Sequence, residues 1–260
     1  MQEVSVNMSV YNGEVYLKAA IDSVLNQTFS DFELIVVNDG STDRTAEILA
    51  SYTDPRIQVI TQTNHGISHA RNQAFRASQG QFIAVMDADD ESLPTRFERQ
   101  VAFMHVHPEV GLLGSAAFFW DELEGRRWTY VPPVTDEELR AGFVKGNPFI
   151  HTSIMMRRSL LELVGGYNET FPFLVDYELY TRLAPYTRMA NLPEPLVIRR
   201  YRMGSVSTTL RTELLRLRLR LRIHYRIFRT GEYPFYYFGY VLRPILFAFI
   251  ELGPKLKRRT

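Results

Sequence analysis

Strand and helix alternate four times over residues 4–105, and this constrains the fold more than any other feature of the chain. Val4 to Val10 is a short apolar run broken by Tyr11-Asn12-Gly13. Val15, Leu17, Ala20, Ile21, Val24 and Leu25 then recur at helical spacing, which predicts a helix from Glu14 to about Leu25. Phe32 to Val37 reads as a second strand, closed by Asn38-Asp39-Gly40-Ser41. Ser41 or Thr42 is placed to cap a helix through Ala46, Ile48 and Leu49. Ile57 to Ile60 and a helix over 67–78 make the third pair. Gln81 to Met86, then Asp87-Ala88-Asp89-Asp90 and a helix from Pro94 to about His105, make the fourth. Such a series specifies a mostly parallel, Rossmann-like sheet with helices on its faces. Ligands of such sheets bind beyond the carboxyl ends of the strands. The polar clusters Ser9-Val10-Tyr11-Asn12, Asn38-Asp39-Gly40-Ser41 and Asp87-Ala88-Asp89-Asp90 all fall at those ends, so three loops are expected around one crevice.

The remainder is less regular. Val110 to Phe119 reads as a strand, 135–145 as a short helix, and Ile150 to Met156 as a strand before a helix from Ser159. Gly165-Gly166-Tyr167 is a turn, and Asp176 to Leu183 has helical spacing.

Charge divides the chain. Its 30 basic and 29 acidic residues leave a net charge of +1, which argues against a nucleic-acid partner. Residues 1–210 carry 18 basic and 26 acidic side chains (−8), and 211–260 carry 12 and 3 (+9). With no cysteine, disulfides, thiolate metal sites and thiol nucleophiles are excluded together. Met1-Gln2-Glu3 lacks the basic start of a secretory signal.

In the basic tail, leucine or isoleucine alternates with Arg216, Arg218, Arg220 and Arg222, and Arg226 and Arg229 continue the series. A helix with a broad basic face is expected, because Leu and Arg are both good helix formers. Tyr233 to Gly253 is apolar and aromatic but contains Arg243-Pro244, and Lys255, Lys257, Arg258 and Arg259 close the chain. This pattern suits an in-plane anchor on an anionic membrane better than a membrane span. The alternative is a helix that packs on a partner subunit, giving an oligomer through the tail.

Three groups of residues suggest chemistry. Asp87, Asp89 and Asp90 lie within four positions at a strand end and repel one another unless a divalent cation such as Mg2+ or Mn2+ joins them. The plainer reading is a solvated turn before Pro94. Asp39 is placed to accept a hydrogen bond from a base or a ribose, or simply to form a turn. Arg71, in His69-Ala70-Arg71-Asn72, suits a diphosphate or a surface salt bridge.

Order and spacing are more specific than any of these parts. VSVNMSVYNG at 4–13, Ser23 to Phe29, FELIVVNDGSTD at 32–43, Asn64-His65-Gly66, Ala70-Arg71-Asn72 and Asp87-Ala88-Asp89-Asp90 with Pro94 resemble the inverting glycosyltransferases of family 2. Met156-Arg157-Arg158, Gly165-Gly166-Tyr167 and Asp176-Tyr177-Glu178-Leu179 with Arg182 continue the likeness, which covers about residues 3–205. The sequence departs from the family at Ser9, often Pro or Thr; at Asn7, usually apolar; at Asn38, often the first acid of Asp-Asp-Gly; and at Val175, often Glu.

The resemblance implies a GT-A fold. Residues 1–210 would form the catalytic domain, with a nucleotide-sugar half over about 1–110 and an acceptor half over about 111–210, and 211–260 the tail. It implies that Ser9, Tyr11 and Asn12 lie against base and ribose and that Asp39 binds the base, commonly uracil. Arg71, Asp87 and Asp89 would bind the nucleotide-sugar, and Asp89 and Asp90 a divalent metal, Mn2+ or Mg2+. Asp176 would be the catalytic base, with His151 and Glu178 on the acceptor side.

The expected activity is transfer of a hexosyl or N-acetylhexosaminyl group from a nucleotide-diphospho-sugar, a UDP-sugar first, to a glycan or lipid-linked acceptor. The expected location is the cytoplasmic face of the cell membrane. Two other readings are weighed. A silent nucleotide-sugar-binding scaffold would not need Asp39, Asp89, Asp90 and Asp176 together. A dinucleotide-dependent oxidoreductase would need G-x-G-x-x-G after the first strand, where this chain has Ser9-Val10-Tyr11-Asn12-Gly13-Glu14.

Overall fold

Strands β1 (Val4–Val10), β2 (Phe32–Asp39) and β4 (Phe82–Asp87) are buried along nearly their whole length. Such unbroken apolar runs belong in a parallel sheet covered on both faces. A computed structural model describes residues 2–201 and 210–229. With β3 (Ile57–Gln62) at the edge, these strands run β3-β2-β1-β4, and every pairing among them is parallel.

The sheet then becomes mixed. β8 (Met155–Arg157) pairs antiparallel with both β4 and β6 (Val110–Asp121). β9 (Arg188–Tyr201) runs parallel to β6, β5 (Glu91–Ser92) antiparallel to β9, and β7 (Arg126–Tyr130) returns antiparallel on β6. The full order is β3-β2-β1-β4-β8-β6-β9-β5, nine strands including β7.

Helix α1 (Leu17–Leu25) buries Leu17, Ala20, Ile21 and Val24, one stripe at i, i+3, i+4, i+7. It shares a core cluster with Val4, Val6 and Met8 of β1 and with Phe97 and Val101 of α4 (Arg96–Val106). On the opposite face, Ala70 and Ala74 of α3 (Ile67–Ala77) meet Ile35 and Val37. A third cluster joins Ile83, Val85 and Leu112 to α5 (Asp136–Phe143), α6 (Arg158–Leu163) and α7 (Val175–Leu183). Thr135 and Glu138 cap α5 reciprocally.

Several expectations shift. The first helix begins at Leu17, not Glu14. Ser41 and Thr42 do not cap α2 (Thr45–Ala50); the Asp43 carboxylate takes the Thr45 N–H instead, and Ser41 and Thr42 bond to Asn12. Residues 150–156 are not one strand, because His151–Ser153 form a 3-10 turn and only Met155 and Met156 enter β8. The strands β5, β7 and β9 are additional to the expected set. β7 is exposed on both faces, so its sequence has no alternation to read. β9 contains Pro193 and Pro195, and its register with β6 shifts around Ala116, opposite Pro195.

The first part of the tail is helical, as expected: α8 (Leu210–Arg229). Its apolar stripe Leu219, Ile223 and Ile227 lies in the same core cluster as Leu179 and Leu183 of α7, so it packs on the body of its own chain. Arg218, Arg220, Arg222 and Arg229 are exposed. No helix among the described residues is long and apolar enough to cross a membrane. The apolar stretch Tyr233–Gly253 and the basic residues after it lie outside the described residues.

Candidate active site

The carboxyl ends of β1, β2 and β4 lie side by side, with Ser9 in register with Val37 on one side and Asp87 on the other. The β1 and β2 loops are laced together. The Asn12 N–H donates to Ser41 Oγ (3.0 Å), and the Thr42 N–H donates to Asn12 Oδ1 (2.8 Å). Asn12 adopts a left-handed φ of 53°, which asparagine tolerates better than most residues, and Tyr11 beside it is exposed.

Asp39 is buried and accepts the N–H groups of His65 (2.9 Å) and Gly66 (2.9 Å) and the Gln62 amide (2.7 Å). It thereby fastens the loop after β3 to the end of β2. Gly40 has φ +75°, and a Cβ there would lie 2.6 Å from the Asn64 backbone nitrogen. Gly40→Ala is therefore expected to cost about 2 kcal/mol in urea unfolding and to weaken nucleotide binding, because the strained carbon meets backbone.

The second half of the crevice surrounds Asp87. Arg71, buried on α3, donates to Asp87 Oδ1 at 3.1 Å and lies over the Tyr167 ring at 5.5 Å. Burial opposes the charge on Asp87, but the His151 ring and the Arg71 and Arg199 guanidiniums outweigh it and hold the carboxyl below its ordinary range. His151 is pushed down to about 4, by burial first and then by Arg71, so its ring is neutral at physiological pH.

The Tyr180 hydroxyl lies 2.6 Å from His151 Nδ1. Burial raises the Tyr180 phenol well above its ordinary range, so it keeps its proton. His151 Nε2 is buried with no hydrogen-bond partner among the described residues. Asp176, in the first turn of α7, acts electrostatically on Arg71, His151, Tyr167 and Tyr180. Its Oδ2 accepts the Asn147 amide at 2.7 Å.

Asp89 and Asp90 form the third part. Asp90 Oδ1 accepts the Arg200 N–H (2.9 Å), and the Asp89 carbonyl accepts from the Arg200 guanidinium (3.2 Å). Burial, with Asp87 and Asp89 close by, drives the Asp90 carboxyl well above its ordinary range. Among the described residues no three His, Asp or Glu side chains already form a metal cage. The acid set still fits a hard divalent cation, since the repulsion that raises Asp90 is what such an ion would cancel. Asp87 is engaged by Arg71, which leaves Asp89 and Asp90 as the acids to hold it.

Glu178, expected on the acceptor side, is turned into the protein instead. Its carboxylate is wholly buried, bonded by Arg182 (3.0 Å) and by Arg226 of α8 (2.8 Å), and it fastens α8 to α7. Of the residues expected from sequence, Asp39 with Asn12, Arg71 with Asp87, His151 with Asp176, and Asp89 with Asp90 are brought to one end of the sheet. Asn147, Tyr180, Arg199 and Arg200 join them unannounced. Asn147, four residues before the already noted His151, and Tyr180, inside the helical stretch that begins at Asp176, stood near a visible signal.

Residues 5–165 match the family described as Glycosyl transferase family 2. WbnJ of Escherichia coli, named as an O-antigen biosynthesis glycosyltransferase, is 32% identical over 215 residues, covering 79% of this chain and 81% of that one. AmsE of Erwinia amylovora, an amylovoran biosynthesis glycosyltransferase, is 30% identical over 77% of this chain and 76% of its own. EpsE of Bacillus subtilis is 37% identical over 64% of this chain but only 60% of its own length, so this chain spans less than two thirds of that relative.

Among solved structures, S. aureus TarS 1-349 in complex with UDP-GlcNAc superposes with a TM-score of 0.69 at 22% identity, over 85% of this chain and 66% of that one. The mannosyltransferase PcManGT of Pyrobaculum calidifontis, in complex with GDP-Man and Mn2+, gives 0.65 at 21% identity, over 96% and 70%. At these identities the likeness concerns the fold, and it shows that the sheet described above is of the glycosyltransferase type. The sequence match over most of the strand-helix half, with relatives 30% identical or more along three quarters of the chain, places this protein in glycosyl transferase family 2.

Proposed function

We propose that this chain transfers a sugar from a nucleotide-diphospho-sugar to an acceptor hydroxyl, by one inverting displacement, in the synthesis of a cell-surface polysaccharide or lipid-linked glycan. The observation that carries the reading is Asp176 in a crevice with Arg71, Asp87 and His151, one of its oxygens tethered by Asn147. The other oxygen is the one able to take the acceptor proton.

As the acceptor oxygen bonds to the anomeric carbon, the carbon–oxygen bond to the diphosphate breaks on the opposite face, and the acceptor proton passes to Asp176. With Nδ1 taken by Tyr180, His151 Nε2 is the ring nitrogen left for a substrate group beside this reaction. Arg71, held against Asp87, places positive charge where the diphosphate would sit. A divalent cation, Mn2+ or Mg2+, on Asp89 and Asp90 would supply Lewis-acid neutralisation of the leaving diphosphate. Asp39 and the Asn12 loop would receive the base, with Ser9, Tyr11 and Asp89 completing the nucleotide side.

A UDP-sugar is the first donor to test, given the TarS complex, and PcManGT makes a GDP-sugar the second. AmsE and WbnJ, whose names refer to polysaccharide and O-antigen synthesis, support a glycan acceptor. Placement at the cytoplasmic face of the membrane would rest on the exposed arginines of α8, since its apolar stripe is taken up in the core. Contact with anionic headgroups would then be electrostatic and salt-sensitive.

Thermal unfolding with UDP, dTDP, GDP and ATP, with and without Mn2+, tests the donor site. One uridine, thymidine or guanosine diphosphate at a hundredfold excess over Kd is expected to stabilise by about 2.7 kcal/mol, and more with Mn2+ present than without. Equal responses to all four, or none, would reject the reading.

A further inference from the structure

An aromatic face lies on the three strands beyond the crevice. Phe119 of β6 is in register with Trp128 of β7 and with Arg199 of β9, and Asp121 is in register with Tyr201. Alternation therefore puts Phe119, Trp128, Arg199 and Tyr201 on one side of the sheet. The rings of Phe119, Trp128 and Tyr201 lie 5.3, 5.7 and 6.1 Å apart, centroid to centroid, with interplanar angles of 18° to 32°. They thus share a common orientation. Phe119 is buried beneath, while Trp128 is 41% and Tyr201 49% exposed. Arg199 stands over Phe119 (5.6 Å) and Tyr201 (5.7 Å).

The face is continuous with the reaction crevice. Phe119 packs in a small cluster with Ile150, the residue immediately before His151. Arg199 acts electrostatically on Asp87, Asp90 and His151. We infer that Phe119, Trp128 and Tyr201 form a stacking platform for sugar rings of the acceptor glycan, with Arg199 between the platform and the reaction centre. The inference rests on the transferase reading and adds a place for the acceptor chain.

A pyranose presents a C–H face that is apolar and flat enough to lie on an aromatic ring, while its hydroxyls stay at the rim and in water. Two half-exposed rings, inclined to each other by 31° beside a guanidinium, meet both demands. A bilayer suits the same face less well. The tip of the β6–β7 hairpin, Asp121-Glu122-Leu123-Glu124-Gly125-Arg126-Arg127, has five charged residues out of seven, which would have to leave water for the rings to insert.

The chain has two tryptophans, Trp120 and Trp128, so in Trp120→Phe the emission reports Trp128 alone. This variant is titrated with tri- to pentasaccharides of hexoses, N-acetylhexosamines and uronic acids, and separately with vesicles of phosphatidylcholine and phosphatidylglycerol. A saturable change with at least one saccharide, weakened about tenfold by adding Tyr201→Ala and kept by Tyr201→Phe, is the expected result. The inference is overturned if no saccharide responds at millimolar concentration, if only vesicles respond, or if the saccharide response survives Tyr201→Ala. Thermal shifts with UDP and GDP on the same sample read the donor site independently. A protein that binds nucleotide but fails the saccharide titration keeps the transferase reading and loses the platform.

Discussion

Asp176→Asn is expected to slow sugar transfer by about a thousandfold, with nucleotide binding unchanged. The substitution preserves shape, and the new side-chain oxygen can still accept the Asn147 amide that now bonds Asp176 Oδ2 at 2.7 Å. What is lost is the capacity to take a proton. Because the acceptor hydroxyl is a weak acid, its proton must leave as the new bond forms, and the loss falls on the transition state. kcat and kcat/KM should drop together, with the UDP dissociation constant from calorimetry unmoved. Asn147→Ala separates placing the base from being the base: the carboxylate remains but one tether is gone, so a smaller loss of about tenfold is expected. If Asp176→Asn retains most of its transfer rate, the proton acceptor is another residue. The neutral His151, whose Nδ1 is already occupied by the Tyr180 hydroxyl, would not be an obvious substitute.

The part of this site legible in the sequence is the part built from contiguous loops. Asn12, Asp39 and Asp87-Ala88-Asp89-Asp90 follow strands whose apolar runs are unmistakable, and parallel pairing brings those ends together without further information. The rest depends on contacts made across the fold. Asp176 and Glu178 lie two residues apart on α7, and the sequence offers no way to tell them apart. One tops the crevice, while the other is sunk between Arg182 and Arg226. A helix turns about 200° over two positions, so near neighbours of like chemistry face different surroundings.

The tail shows the same limit. Its basic alternation is plain, but the stripe Leu219, Ile223 and Ile227, spaced four apart, is what decides where α8 packs. Arginines at every second position obscured that spacing. β7 was hidden for a different reason, since Arg-Arg-Trp-Thr-Tyr is exposed on both faces and is held by its pairing with β6 and by Trp128 against Tyr201.

Arg96→Leu is expected to lower stability by about 3 to 5 kcal/mol, measured by urea unfolding. Arg96 is wholly buried at the start of α4, and burial pushes its guanidinium down to about 9. Its five N–H donors reach the Gln100 amide oxygen (3.0 Å), Ser92 Oγ (2.9 Å) and the carbonyls of Val85 (2.9 Å) and Ile154 (3.1 Å). Val85 precedes Asp87 by two residues on β4, and Ile154 follows the turn that carries His151. Arg96 therefore clamps from below the two segments that place those side chains. Replacing a buried charge with an apolar residue is often harmless when its partners change too. Here the partners stay, two of them backbone carbonyls that no substitution removes, so the loss of their donor is felt in full. Arg96→Lys keeps the charge but cannot span four acceptors from a single nitrogen, and about half of the destabilisation should persist. A second effect follows from charge. Arg96 is a counter-charge to Asp87 and Asp90, and without it the Asp90 carboxyl, already raised by burial and its acidic neighbours, is harder to ionise. A divalent cation, with twice the charge of a proton, gains more than the proton does from that change, so nucleotide binding in Arg96→Leu should keep its dependence on Mn2+ at a temperature where the variant is still folded. A variant as stable as the parent would show that the clamp is dispensable.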